Sequence, residues 1–469
     1  MKGIIITACR DVINMSVKYS KIIIILALVL GVLGLFLVLG LNNKETEVKK
    51  EEKKVTKEKI SKSYASVISK NEGSVTLQDS KNIIKEANLN SEVQNGDMLE
   101  FVHKKDDKTD EFAGKHKVIG YDDKLPKAWD DEGIFKKYYN KAYEKIQKMS
   151  LDEKIAQILL VRYPDSNQAE TLKSNKFGGY IFYAKDFKDK NYSDVQEMMN
   201  NLQSVSDIPI LTAVDEEGGK VIRVSSNPKL SPTPFKSSRE LYLEGGFDKI
   251  KEDTINKSNL LHDLGINLNL APVVDVTTNP DDYMYARALG EDSEKTSEYA
   301  ETVIKASKGL GVTYVLKHFP GYGNNSDTHT GSSVDERSYE DILNNDLPPF
   351  QSGIKAGAEA VLVSHNIVNS VDGDNPASLS AKVHNLLREN LGFTGIIITD
   401  DLGMGAIDDT KEATVKAVLA GNDLIITTDW ESSMAGIKEA TDNGRISSHL
   451  IDKLALRIIS WKYYMGILR

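Results

Sequence analysis

Eight short apolar runs recur through residues 131–469, with helix-period segments between most of them. The runs are Ala156–Val161, Gly179–Tyr183, Ile208–Val214, Leu268–Val274, Val312–Leu316, Ala360–Val363, Gly395–Thr399 and Asp423–Thr427. A strand that is apolar along its whole length needs cover on both faces, and a crossover helix supplies it. Eight strands of this kind, alternating with segments such as Ser293–Leu310 and Lys411–Ala420, predict an α/β fold of the (β/α)8 TIM-barrel class. An open doubly wound sheet is the alternative that the same pattern allows. Ser150 and Glu153 are spaced as a capping box, which starts a helix just before the first run.

The chain ahead of the barrel changes texture several times. Residues 22–41 are apolar without a charge, long enough to span a bilayer as a helix. Lys2, Arg10, Lys18 and Lys21 precede this run, no small-x-small cleavage site follows it, and the only cysteine, Cys9, lies on the wrong side to accept a lipid. The expectation is an uncleaved single-pass membrane anchor, with residues 1–21 as a cytoplasmic tail. Long trailing domains translocate largely regardless of charge, so the barrel is expected outside the cytoplasm. Residues 42–65 are rich in Lys and Glu and read as a solvated linker. Residues 66–130 carry three short strand-like stretches and read as a small β-rich or extended module.

A net charge of −10 argues against a nucleic-acid surface. One cysteine permits neither an internal disulfide nor a thiolate zinc cluster. No P-loop and no dinucleotide-binding glycine fingerprint follows a strand. Asp327-x-His329 with His318 or His365 could in principle hold zinc, but no third ligand stands at helical spacing. The sequence calls for neither a metal nor an organic cofactor, and it leaves the oligomeric state open.

In a barrel, chemistry gathers at the carboxyl ends of the strands. Those ends carry Arg162, Tyr183, Asp215, Asp275, Lys317, His318, His365, Asp400 and the turn Thr427-Thr428-Asp429. The third strand runs on as Asp215-Glu216-Glu217-Gly218-Gly219, with Arg223 beyond it. The glycine pair is expected to let backbone approach a ligand, and Asp215 suits the paired hydroxyls of a sugar. The fifth strand ends Lys317-His318 and breaks through Pro320, Gly321 and Gly323 into a loop bearing Asp327 and His329. Two apart on extended backbone, that carboxylate and imidazole point the same way, so Asp327 can orient His329 and raise its proton affinity. Taken singly, His318 is as well read as a buried core histidine and Asp327-Thr328-His329 as a polar turn. Together with the acidic strand tips they suit glycoside hydrolysis, which needs a carboxylate at the anomeric carbon and a separate proton donor.

These motifs resemble glycoside hydrolase family 3, in particular its single-barrel β-N-acetylglucosaminidase branch. The resemblance rests on Asp215-Glu-Glu-Gly-Gly with Arg223, on Lys317-His318-Phe-Pro-Gly-x-Gly leading to Asp327-Thr-His329, and on Thr399-Asp400-Asp401-Leu402. It implies a retaining mechanism with Asp400 as nucleophile and His329, held by Asp327, as acid/base. It further implies sugar binding by Asp215, Arg223, Arg287, Lys317 and His318. Three departures stand out: Tyr322 replaces a second histidine, Thr330-Gly331-Ser332-Ser333 lacks a common proline, and Ala288 replaces a serine. With an outward-facing anchor, the expected substrate is an N-acetylglucosamine-bearing cell-wall glycan, first of all its link to muramic acid. The competing readings are a non-catalytic glycan-binding scaffold, a β-glucosidase, and a phosphorolytic enzyme on the same fold.

Overall fold

The computed structural model describes residues 60–71, 74–89, 92–104, 112, 115–121, 124–323, 325, 327–328 and 331–469. Most of the chain forms one compact unit, Lys62–Val102 with Thr109–Arg469. A second unit, Met1–Ser61 with His103–Lys108, lies almost wholly outside the described residues.

The described chain opens with a five-stranded antiparallel sheet: β1 (Ile60–Asn71), β2 (Ser74–Asp79), β3 (Ile84–Ala87), β4 (Met98–Lys104) and β5 (Lys115–Ile119), in the order β3-β2-β1-β4-β5. β1 already begins at Ile60, inside the stretch expected to be linker. Alternation explains one buried face, where Ala65, Val67, Val75, Leu77, Leu99 and Phe101 form a small core of their own. Polar contacts seat the sheet on the barrel's helices: Ser447 N–H donates to the Ile68 carbonyl at 3.0 Å, and Lys453 Nζ to the Asp79 carbonyl at 3.0 Å.

Of the later strands, β11 (Val334–Asp335) and β13 (Ile367–Val368) pair only with each other. The other eight are β6 (Leu159–Arg162), β7 (Gly179–Phe182), β8 (Leu211–Val214), β9 (Leu268–Asn269), β10 (Thr313–Phe319), β12 (Ala360–Val363), β14 (Ile396–Thr399) and β15 (Ile425–Thr427). They are parallel and follow chain order around the ring, β6-β7-β8-β9-β10-β12-β14, with β15 beside β6. Each of the eight apolar runs supplies one strand of a nearly closed TIM-like barrel. The ends of the sheet, β14 and β15, meet at a bridge between Ile398 and Leu424, with backbone hydrogen bonds from Thr399 N–H to the Leu424 carbonyl and from Leu424 N–H to the Ile397 carbonyl, both at 3.1 Å. The Thr399 side chain strengthens this seam by accepting the Ile426 N–H at 3.0 Å.

Helices cover the ring. Ser150 and Glu153 make the expected capping box for Leu151–Gln157. The last helix, Ser448–Tyr464, is buried along nearly its whole length, and its Arg457 holds Asp423 and Asp131 in a buried network. Fully burying one aliphatic side chain is worth roughly 1.5–3 kcal/mol, so strands such as Ile396–Thr399 weld sheet to helices.

The expected membrane anchor requires correction. Among the described residues no helix is long and apolar enough to cross a membrane. The run 22–41 on which the expectation stood lies outside the described residues. The single-pass assignment, and with it the extracytoplasmic placement of the barrel, is withdrawn.

Candidate active site

A cleft of ≈ 500 Å³ opens among the carboxyl ends of the barrel strands, lined among others by Asp215, Arg223, Arg287, Lys317, His318 and Asp400. Six residues singled out in the sequence therefore share one cavity, although they are spread over residues 215–400. Arg162, Tyr183 and Thr428, read as strand-end residues, line it too. Asp275 and His365 stand behind the wall, almost fully buried. Asp429 instead caps the helix Trp430–Asp442, accepting from the Ser432 N–H at 3.1 Å.

The cleft floor is an alternation of charge. Lys317, at the tip of β10, sits between Asp215 and Glu217, with its Nζ 2.7 Å from each carboxylate. Glu217 also accepts both arms of Arg287, at 3.0 Å from Nε and 2.6 Å from Nη2. Such paired, bidentate geometry is how buried charges are kept at tolerable cost. Burial alone would raise the Glu217 pKa, but Lys317 and Arg287 outweigh it and hold the carboxyl well below its usual range. Burial would likewise lower Lys317, yet Asp215 and Glu217 reverse the shift and keep it a cation.

Glu217 is the residue that the sequence reading quoted but gave no role. Asp215 and Glu217 stand two apart in sequence and both reach Lys317, and that spacing was the available signal. The neighbouring Glu216 points the other way and is buried, gathering the amides of Arg223, Val224 and Ser225 and so folding the chain that presents Arg223.

The glycine pair has a different purpose from the one expected. A Cβ at Gly218 would fall 2.1 Å from the Lys236 carbonyl oxygen, and one at Gly219 would fall 2.6 Å from Ser237 Cβ. Both φ angles are also positive, at 103° and 63°. These glycines allow the 235–237 segment to pack against the turn; close approach to a ligand is not what they serve.

The opposite wall carries the second half of the site. His318 points its Nδ1 at Asp275 Oδ2, 2.7 Å away, and its Nε2 lies 3.4 Å from Arg287 Nη2. The other Asp275 oxygen accepts the Tyr322 N–H at 2.7 Å, so one buried carboxylate ties the strand tip to the loop that follows. Arg223 approaches Asp215 at 3.7 Å, and its guanidinium and that of Arg162 both stand over the Tyr183 ring, at 5.4 and 4.5 Å.

Asp400 follows the last residue of β14. Its Oδ1 accepts the Asp401 N–H at 2.9 Å. Burial pushes its pKa up, but His365, His318, Lys317 and the Asp401 amide together leave it below the ordinary value. Asp401 turns away, bonded to Thr428 Oγ1 and the Gly403 amide. His365 steadies this turn, with its Nε2 3.0 Å from the Asp401 carbonyl and its Nδ1 2.7 Å from Ser378 Oγ. The arrangement can hold a polyhydroxylated ring and offers one ionised carboxylate to an electrophilic centre.

His329 lies outside the described residues. Asp327 is half-buried and accepts a hydrogen bond from the Tyr283 phenol. Tyr283 also lines the cleft, a contact that no spacing in the sequence announced. Among the described residues no three His, Cys, Asp or Glu side chains come together as a metal site.

Known proteins share this arrangement of elements. The family model described as "Glycosyl hydrolase family 3 N terminal domain" matches residues 150–461. Beta-hexosaminidase LpqI of Mycobacterium tuberculosis is 31% identical over 332 residues, 67% of this chain and 83% of the relative. Beta-hexosaminidase of Xylella fastidiosa strain M23 is 30% identical over 247 residues, 52% of this chain and 72% of that one. Among solved structures, a glycoside hydrolase family 3 beta-N-acetylglucosaminidase from Paenibacillus sp. str. FPU-7 superposes with a TM-score of 0.64 at 28% identity, covering 68% of this chain and 63% of that one. A family member from Mycobacterium smegmatis gives 0.61 at 30% identity, covering 67% and 97%.

Proposed function

Because the chain belongs to glycosyl hydrolase family 3, and is thus a glycoside hydrolase, we propose that it is a retaining exo-β-N-acetylglucosaminidase. It removes terminal β-linked N-acetylglucosamine from glycans or their fragments, and the cell-wall link to muramic acid is the first substrate to test. The carrying observation is that Asp400, its carboxyl held below the ordinary pKa, shares one cleft with Asp215, Lys317 and Arg287, which the buried Glu217 ties together from behind. The names of the two hexosaminidase relatives support the choice of sugar.

In the first step Asp400 attacks the anomeric carbon with the oxygen that is not engaged by the Asp401 amide. The carbon–oxygen bond to the leaving group breaks as the carboxylate–carbon bond forms. The His329 imidazolium, oriented by Asp327, gives its proton to the departing oxygen. In the second step a water attacks the glycosyl ester, and the now neutral imidazole takes the water proton, regenerating the acid. Lys317, Arg287, Arg223, His318 and Asp215 hold the sugar hydroxyls, and their mutual ion pairs keep them in place before substrate arrives.

The test is turnover of aryl β-N-acetylglucosaminides by the purified full chain, with product anomers followed by proton NMR. Asp400→Ala should abolish turnover and the β-anomer should appear first. His329→Ala should lose far more on poor leaving groups than on activated ones. Wild-type rates for Asp400→Ala, or the α-anomer as first product, would overturn the mechanism. Gluco-configured aryl substrates turned over faster than N-acetylgluco ones would overturn the choice of sugar. Mass spectrometry of products from purified cell wall, with and without phosphate, identifies the glycan and the acceptor.

A further inference from the structure

The loop between β10 and β11 is held down by two tyrosines that take successive residues. Tyr283 bonds Asp327, and Tyr322 bonds Thr328 twice: its phenol oxygen accepts the Thr328 N–H at 3.2 Å and shares a hydrogen bond with Thr328 Oγ1 at 2.6 Å. Both partners of the second pair are buried, Tyr322 at 2% exposure and Thr328 at 0%. Burial first, tempered by the Thr328 bonds, pushes the phenol well above its usual pKa, so it stays a hydroxyl at any working pH. The anchor itself is fixed. Its ring packs on Val273, Met284 and Ala288 and meets the His318 ring edge-on at 5.5 Å, and its amide is held by Asp275. Tyr322 is also one of the positions where the sequence departs from the motif it resembles. A shorter imidazole there would not reach Thr328 by the same path.

We propose that Tyr322 is a positioning residue for proton transfer: its two hydrogen bonds with Thr328 fix the chain at the residue that immediately precedes His329. The inference rests on His329 being the acid/base. Tyr322 touches neither the sugar nor the departing oxygen, so its effect should appear where protonation of the leaving group limits the rate.

The experiment compares Tyr322→Phe, Thr328→Val and the double variant in the full chain, with aryl β-N-acetylglucosaminides of graded leaving-group acidity. Each single substitution should lower kcat/KM about tenfold on the poorest leaving group, the worth of one or two neutral hydrogen bonds. Rates on the most activated substrate and competitive inhibition by N-acetylglucosamine should stay at wild-type values. The double variant should be no worse than Tyr322→Phe alone, because losing the phenol oxygen already removes the Oγ1 bond that Thr328→Val removes. Three results would each overturn the proposal: losses that multiply, equal losses across leaving groups with weakened sugar binding, or wild-type behaviour of Tyr322→Phe. If Tyr322→Phe does not fold, Thr328→Val reads the same bond from its other end. His329→Ala run in parallel separates the two claims. Without leaving-group selectivity there, the acid/base assignment fails; with it, unaffected latch variants sink the positioning role alone.

Discussion

Replacing Glu217 by glutamine keeps its shape and removes one charge from the floor of the cleft. In the native site that carboxylate takes Lys317 at 2.7 Å and both arms of Arg287, with a side chain only 4% exposed. An amide cannot accept from all three donors, since one of its two heads is itself a donor. Lys317 keeps Asp215, but Arg287 loses its bidentate partner and remains a buried cation. Breaking one side of a buried ion pair costs about 3–5 kcal/mol. The retained Lys317–Asp215 bond places the expected loss at the lower end, roughly 3 kcal/mol. Urea unfolding of the two proteins, followed by fluorescence at pH 7, measures it as a lower midpoint at unchanged slope. The pH dependence gives a second reading. A carboxyl with a depressed native pKa contributes stability above its unfolded value and loses it as pH falls towards the native one. The gap between wild type and Glu217→Gln should therefore hold from pH 8 to 5 and close only in more acidic solution. A variant within 1 kcal/mol of wild type at pH 7, on the roughly 3 kcal/mol scale expected, would refute the view that this carboxylate props up Lys317 and Arg287.

Three further outcomes are expected. Lys462 is fully buried with Gln157 Oε1 as its hydrogen-bond acceptor at 2.8 Å, and burial lowers its pKa to about 7; the native state thus resists its protonation, and Lys462→Met should stabilise the protein most below pH 7 and least near pH 10, read by thermal melts across that range. Asp346 shares Arg337 with Asp335, and burial lifts its carboxyl to about 7 despite the guanidinium, so stability should fall as pH rises from 4 to 7; Asp346→Asn should flatten that slope in the same melts. The depressed pKa of Asp400 should keep the acidic limb of the kcat/KM profile below the ordinary carboxylate range, and a limb near pH 6 would contradict the influence of His365, His318, Lys317 and the Asp401 amide described for it.

The barrel was legible because a strand covered on both faces has to be apolar throughout, and eight such runs have few other uses. The strand tips were legible for the converse reason: Asp400, Lys317 and His318 interrupt apolar sequence at a place where charge is costly unless it works. Glu217 was missed because an acidic pair followed by glycines looks like a surface turn until Arg287, seventy residues later, closes on it. Tyr283 and Tyr322 escaped for a related reason, since their partners Asp327 and Thr328 are chosen by the path of a loop that no periodicity encodes. In the first sheet the strand-like stretches mark β2, β4 and β5, while β1 and β3 went unmarked, β1 starting inside lysine- and glutamate-rich sequence. The apolar run 22–41 supported an anchor that nothing among the described residues sustains.

The junction of β14 and β15 closes the hoop through backbone hydrogen bonds, Thr399 N–H to the Leu424 carbonyl and Leu424 N–H to the Ile397 carbonyl, both at 3.1 Å, and the Thr399 hydroxyl adds a side-chain tie to the Ile426 amide. Asp400 comes directly after that threonine, so any loosening of the hoop would tilt its carboxylate before it disturbed Asp215 and Lys317 across the ring. Removing one side-chain oxygen at Thr399, a residue that need never meet a sugar, would be felt first as a change in the angle of attack.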